Sequence, residues 1–194
     1  VVWPLAAAAA GLAYSSVYEV RAFTLREVTV PVLAPGSAPL RVLHLSDTHM
    51  TPSQHKKQRW LRGLAELKPD LVINTAAYTQ VDRAESEVEL CWSVNVRGVE
   101  RLVDACRGAG AGLVQISTDY VFDGRKTAPY VETDDPNPLG VYGRSKLEAE
   151  RIVTGLPNHL IVRTAGLFGP AGPTSGGSFV ETMLRLADRG RPIR

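Results

Sequence analysis

Along residues 40–165, short continuous apolar runs alternate with stretches in which apolar residues recur at every third or fourth position. The runs "RVLHLS" (41–46), "LVINT" (71–75), "LVQIST" (113–118) and "HLIVRTA" (159–165) have the length and branched content of buried strands. The stretches between them carry helical stripes. In "SQHKKQRWLRGLAEL" the stripe is Trp60, Leu61, Leu64 and Leu67. A longer helix is predicted from about Ala84 to Arg107, its stripe formed by Val88, Cys91, Val94, Gly98, Leu102 and Cys106 and its end set by "GAGAG". "GRSKLEAERIVTG" supplies a further helix before the last strand.

Strands that are apolar at nearly every position are buried on both faces, and their alternation with helices makes the sheet parallel. The pattern therefore predicts an α/β fold: a Rossmann-like parallel sheet flanked by helices and covered on both sides. Ligands bind such sheets beyond the C-terminal ends of the strands. The residues there read "SDTHM", "NTAAYT", "STDYVFDG" and "RTAGLFG", each polar or glycine-bearing. The chain divides into an apolar N-terminal segment and linker over 1–39, closed by "APGSAP", and the α/β domain over 40–165. Residues 166–194 read as the start of a substrate-binding part that is cut short.

Composition narrows the partners. A net charge of +2 comes from scattered Lys and Arg with no block beyond His55-Lys56-Lys57, so nothing asks for nucleic acid or an anionic membrane. Cys91 and Cys106 lie on one predicted helix, spaced for neither a metal site nor a disulfide framework, which fits packing in a reducing, cytoplasmic compartment. "WPLAAAAAGLAY" is an apolar run of about a dozen residues, against the roughly 20 that span a bilayer. It reads either as a peripheral Ala-rich helix or as the remnant of a membrane or signal segment, and membrane contact is the less favoured reading. Oligomeric state is not legible.

The candidate chemistry lies in "YGRSK", where Tyr142 and Lys146 stand four apart and so project from one helix face. Thr118, ending the preceding strand, can place a hydroxyl in the same crevice. An ammonium beside a phenol favours the phenolate, which would help Tyr142 give a proton to a developing alkoxide. The plain structural alternative is an aromatic packed at a helix start and a solvated lysine; Thr118 weighs against it.

The stretches "VINTAAYTQVDRAE", "SVNVRG", "STDYVFDG", "DPNPLGVYGRSKLEAE" and "VRTAGLFG" resemble the dTDP-4-dehydrorhamnose reductase family of extended short-chain dehydrogenases, from about Pro69 to Ile193. The resemblance implies that NADPH or NADH reduces the C4 keto group of a dTDP-linked sugar while Tyr142 protonates the oxygen. Lys146 would hold the nicotinamide ribose and tune Tyr142, and Thr118 would hydrogen-bond the carbonyl. Ala76, Ala77, Tyr78 and Asn95 would border the cofactor, and Tyr120 the sugar nucleotide. Some members also use Mg²⁺. Gly166 and Ser178 depart from the family pattern, which carries Trp and Asn there, so the identity of the sugar stays open.

Upstream the pattern differs. The first strand is followed by "SDTHMTPSQ", without the glycines that let a backbone approach a pyrophosphate, and Asp47 sets a carboxylate where phosphates would lie. "LRVLHLSDTHM" is similar instead to the start of calcineurin-like metallophosphoesterases, whose D-x-H ligates metal. Asp47 and His49 alone fall short of the three or four ligands of a catalytic site, so they are only weak metal candidates. The chain thus reads as a chimera with a seam near 69–75, truncated at its C-terminal end and impaired as a reductase. Two further readings stand beside it: a non-catalytic regulatory module of the same fold, and, least favoured, a phosphoesterase remnant.

Overall fold

The computed structural model of the chain describes residues 25–46, 55–167, 184–186 and 188. Four strands, β1 (Val42–Leu45), β2 (Leu71–Asn74), β3 (Gly112–Thr118) and β4 (His159–Thr164), form one parallel sheet in the order β1-β2-β3-β4. Each falls on one of the predicted apolar runs. The register aligns Leu43, Val72, Leu113 and His159 across the sheet, so these side chains share a face.

The connections are helical: α1 (His55–Gly63) with a 3₁₀ turn at Leu64–Leu67, α2 (Val81–Ala84), α3 (Val88–Trp92), a π turn (Ser93–Arg97), α4 (Gly98–Ala109) and α5 (Val141–Val153). The single helix expected over 84–107 is therefore replaced by one short turn and a run from Val88 to Ala109 with a π turn inside it. The extra residue of that turn shifts the helical phase. The inward positions become Cys91, Asn95, Val96, Val99, Val103 and Cys106, whereas Val88 and Val94 of the expected stripe point out. The stop is as expected: Gly110 adopts φ 69°, and Ala111 N–H reaches back to Cys106 O at 2.9 Å.

The core lies between one face of the sheet and the helices. Val72 and Leu113 meet Val99, Val103 and Cys106 of α4 and Ala149 and Val153 of α5. Full burial of a side chain such as Leu113 contributes about 2 kcal/mol. The other face carries Leu71, Ile73, Val114, Ile116 and Val162, all half-buried, with Val42 and Leu160 47% and 56% exposed. Cover on both faces is thus not met among the described residues. The reason is topological for the two connections whose helices form the core: right-handed parallel crossovers that step in the same direction put α4 and α5 on the same side.

α5 is set by contacts from outside itself. It has no side-chain cap of its own, and Glu85, just past α2, accepts the Val141 N–H at 2.7 Å, placing a carboxylate at the positive end of the helix. At Gly143 a Cβ would lie 2.3 Å from Tyr120 O and 3.0 Å from Pro138 Cβ, so the helix touches the turn after β3 backbone to backbone. Gly143→Ala is expected to lower stability by about 1–3 kcal/mol through forced separation of α5 from that turn. Urea denaturation checks this, and an unchanged midpoint would show that the contact is not tight.

Candidate active site

The residues singled out in the sequence gather where β2 and β3 end and α5 begins. Thr118 is the last residue of β3 and is buried. Its hydroxyl accepts from Tyr120 N–H at 3.2 Å and donates to Asp119 Oδ1 at 3.1 Å, which folds the following residues into a 3₁₀ turn. Tyr120 stands 52% exposed on that turn, with its ring edge-on to Tyr142 at 5.7 Å between centroids. Tyr142 is buried in the first turn of α5 among Ala84, Cys91 and Val141. Burial pushes its phenol above the ordinary value, and the neighbouring Thr118 side chain works against that rise.

Lys146 follows one turn later and is 4% exposed. Its ammonium donates to Ile116 O at 2.7 Å, two residues before Thr118 on the strand. Desolvation lowers its pKa from 10.5 to about 8, while Glu150 and Cys91 act in the opposite direction. One part of the sequence reading needs correction here. The ammonium is turned to the β3 backbone and is not among the groups that shift Tyr142, so the phenol's pKa is raised, not lowered. Burial sets the direction, because it disfavours the charged phenolate.

The segment after β2 is tied to α5 through Asn95. Ala76 and Ala77 are half-buried, and Ala76 N–H donates to Asn74 Oδ1 at 3.2 Å. Asn74 is itself held by a 2.8 Å bond to Gln115 Oε1. Tyr78 is fixed at both backbone groups by Asn95, whose Oδ1 accepts from Tyr78 N–H at 2.8 Å and whose Nδ2 donates to Tyr78 O at 3.2 Å. The Tyr78 hydroxyl donates to Glu87 Oε2 at 2.7 Å, and its ring packs against the cluster that holds Tyr142. Asn95 sits in the π turn, which swings it inward to meet Ser145 Oγ on α5 at 3.0 Å. Ser145 in turn donates to Tyr142 O at 2.7 Å. Ser145 was missed in the sequence; its signal is a polar residue three positions after Tyr142 that is fully buried.

Asp47 and His49 lie outside the described residues, as does Ser178. Among the described residues no group of three or more His, Cys, Asp or Glu could hold a metal ion. No described helix is long and apolar enough to cross a membrane.

A parallel Rossmann-like sheet with a Tyr and a Lys buried one helical turn apart at a strand end defines a unit of the short-chain dehydrogenase class. The family model described as "RmlD substrate binding domain" matches residues 19–194, running across the seam read in the sequence. The chain belongs to this family. It is 51% identical over 121 residues to a dTDP-4-dehydrorhamnose reductase of Aggregatibacter actinomycetemcomitans, covering 62% of this chain and 40% of that protein. A dTDP-4-dehydrorhamnose reductase structure from Clostridium acetobutylicum has 43% identity and a TM-score of 0.60 over 66% of this chain and 44% of its own. Another, from Bacillus anthracis in complex with NADP, has 31% identity and a TM-score of 0.65 over 78% and 61%. The chain spans about two fifths of the length of the curated relatives it matches.

The buried ammonium of Lys146 is a stability load. With a folded pKa near 8 against 10.5, it holds the fold down by on the order of 3 kcal/mol at neutral pH. Between those two pH values the unfolded chain binds a proton that the folded chain does not, so stability rises through this group from pH 8 to 10.5. Lys146→Met is expected to match or exceed the wild type in thermal stability at pH 7, because Ile116 O keeps a 3.0 Å bond from the Gln115 amide. The variant should also lose the alkaline rise. Melting curves of both proteins at pH 7 and 10 test this, and a variant that melts well below wild type at pH 7 would contradict it.

Proposed function

We propose that the chain carries the proton-donating part of a site that reduces the 4-keto group of a dTDP-linked sugar, dTDP-4-dehydrorhamnose, to the alcohol. The observation that supports it most is the placement of Tyr142 beside Thr118 at the end of β3, with Lys146 buried one turn behind. The names of the relatives supply the substrate class, and the NADP held by the Bacillus anthracis relative supports a nicotinamide cofactor, NADPH or NADH.

The residues fit the nicotinamide end of such a cofactor. Lys146 has three N–H donors and its bond to Ile116 O uses one, which leaves capacity for ribose hydroxyls. Ala76 and Ala77 offer a wall of small side chains on the other side. When bound, the nicotinamide supplies the hydride to the carbonyl carbon. The chain's own residues supply the rest. Thr118, turning its O–H from Asp119 to the substrate, holds the carbonyl oxygen, and the Tyr142 O–H gives that oxygen a proton as it becomes an alkoxide. Burial keeps Tyr142 in its protonated form at neutral pH, the form a proton donor needs. The phenolate that results regains its proton from water.

Oxidation of NADPH in the presence of dTDP-4-dehydrorhamnose tests the reading. Tyr142→Phe is expected to slow turnover by about 10²–10⁴-fold while leaving NADPH binding nearly intact. Equal rates for variant and wild type would remove Tyr142 from the reaction.

A further inference from the structure

Beyond Lys146 by one more turn of α5 lies Glu150, 4% exposed and wholly engaged. Ser117 Oγ donates to its Oε1 at 2.5 Å. Arg163 of β4 closes on it as a fork, Nη2 to Oε2 at 2.7 Å and Nε to Oε1 at 3.0 Å. The guanidinium of Arg163 is positioned from its other side by the ring of Phe122, 5.1 Å away, which stacks on Tyr130 at 4.2 Å. One carboxylate therefore joins α5 to β3, to β4 and to the loop that follows Thr118.

A buried ion pair is a poor way to gain stability, because the loss of hydration offsets most of the attraction. Its geometric effect is clearer. Lys146 and Glu150 are four apart on α5, and they bond to neighbouring residues of β3, Ile116 O and Ser117 Oγ, while the next residue is Thr118. One anchor would leave the helix free to turn about it. A second anchor a full turn further along removes that freedom and fixes where Tyr142 meets Thr118. Glu150 also supplies the leading charge that favours the ammonium of Lys146, and Cys91 of α3 is the other group acting on Lys146 in that direction.

We propose that Glu150, locked by Arg163, is a positioning residue that sets the rotation of α5 and so presents Lys146 and Tyr142 to the reactants. This rests on the reductase reading above. Glu150→Gln is the variant of choice, since the amide keeps an acceptor for Arg163 and can still pair with Ser117, and the fold should survive. The experiment follows the Lys146 side chain by NMR in lysine-labelled chain across pH 6–11, alongside NADPH-dependent turnover. In the variant the titration midpoint of Lys146 should fall by about one pH unit, and kcat should fall by on the order of tenfold or more with KM nearly constant. Arg163→Lys, which keeps the charge but loses the fork, should lower kcat with a smaller change in the midpoint. A midpoint that does not move in Glu150→Gln overturns the proposal whatever the turnover, and a lowered midpoint with unchanged kcat overturns the positioning role. Absence of turnover in the wild type would instead defeat the reductase reading, and the Lys146 midpoint would still decide whether Glu150 acts on Lys146.

Discussion

The buried amide of Asn95 is the constraint on which the site depends. It bonds both backbone groups of Tyr78 and the hydroxyl of Ser145, so three segments distant in sequence meet on one side chain. An amide in that setting must satisfy its donors and its acceptor internally, and unmade bonds there would each cost about 1–3 kcal/mol. Asn95 lies within the π turn, whose extra residue shifts the phase of the helix that carries it. With the wall and α5 tied together, Tyr142 is held against the end of β3.

Much of this was legible in the sequence. All four strands and the helix bearing Tyr142 and Lys146 follow from apolar runs and spacing, because parallel strands are buried along their length. The phase of the helix from Val88 onward was not legible, since the π turn leaves no mark in the apolar pattern. Nor was the partner of Lys146, because that partner is a backbone carbonyl on β3 and has no side-chain signature. Glu150 reads in "KLEAE" as one more surface acid on a helix, and only its meeting with Arg163 sets it apart. Membership in the RmlD substrate binding domain family, by contrast, rests on motifs quoted from the sequence itself and matched over residues 19–194.

The electrostatics of the site show a division of labour. Burial keeps Tyr142 as a phenol and brings Lys146 toward neutrality, which are opposite uses of one physical effect on an acid and a base. Glu150, with a smaller part from Cys91, then limits how far Lys146 is carried. The charged groups behind Tyr142 on α5 are thus held by neighbours on β3 and β4, the most extensively paired strands of the sheet.

The one-way order of the strands has a consequence for how the chain breathes. α4 and α5 pack on the Leu113 face, and on the opposite face the outer described strands β1 and β4 are the more open, Val42 and Leu160 standing 47% and 56% exposed. Amide hydrogen exchange should therefore be graded across the sheet, slowest in β3, where Leu113 and Gln115 are almost wholly enclosed, and fastest in β1. The strand that positions Thr118 would then be the last part of the sheet to open.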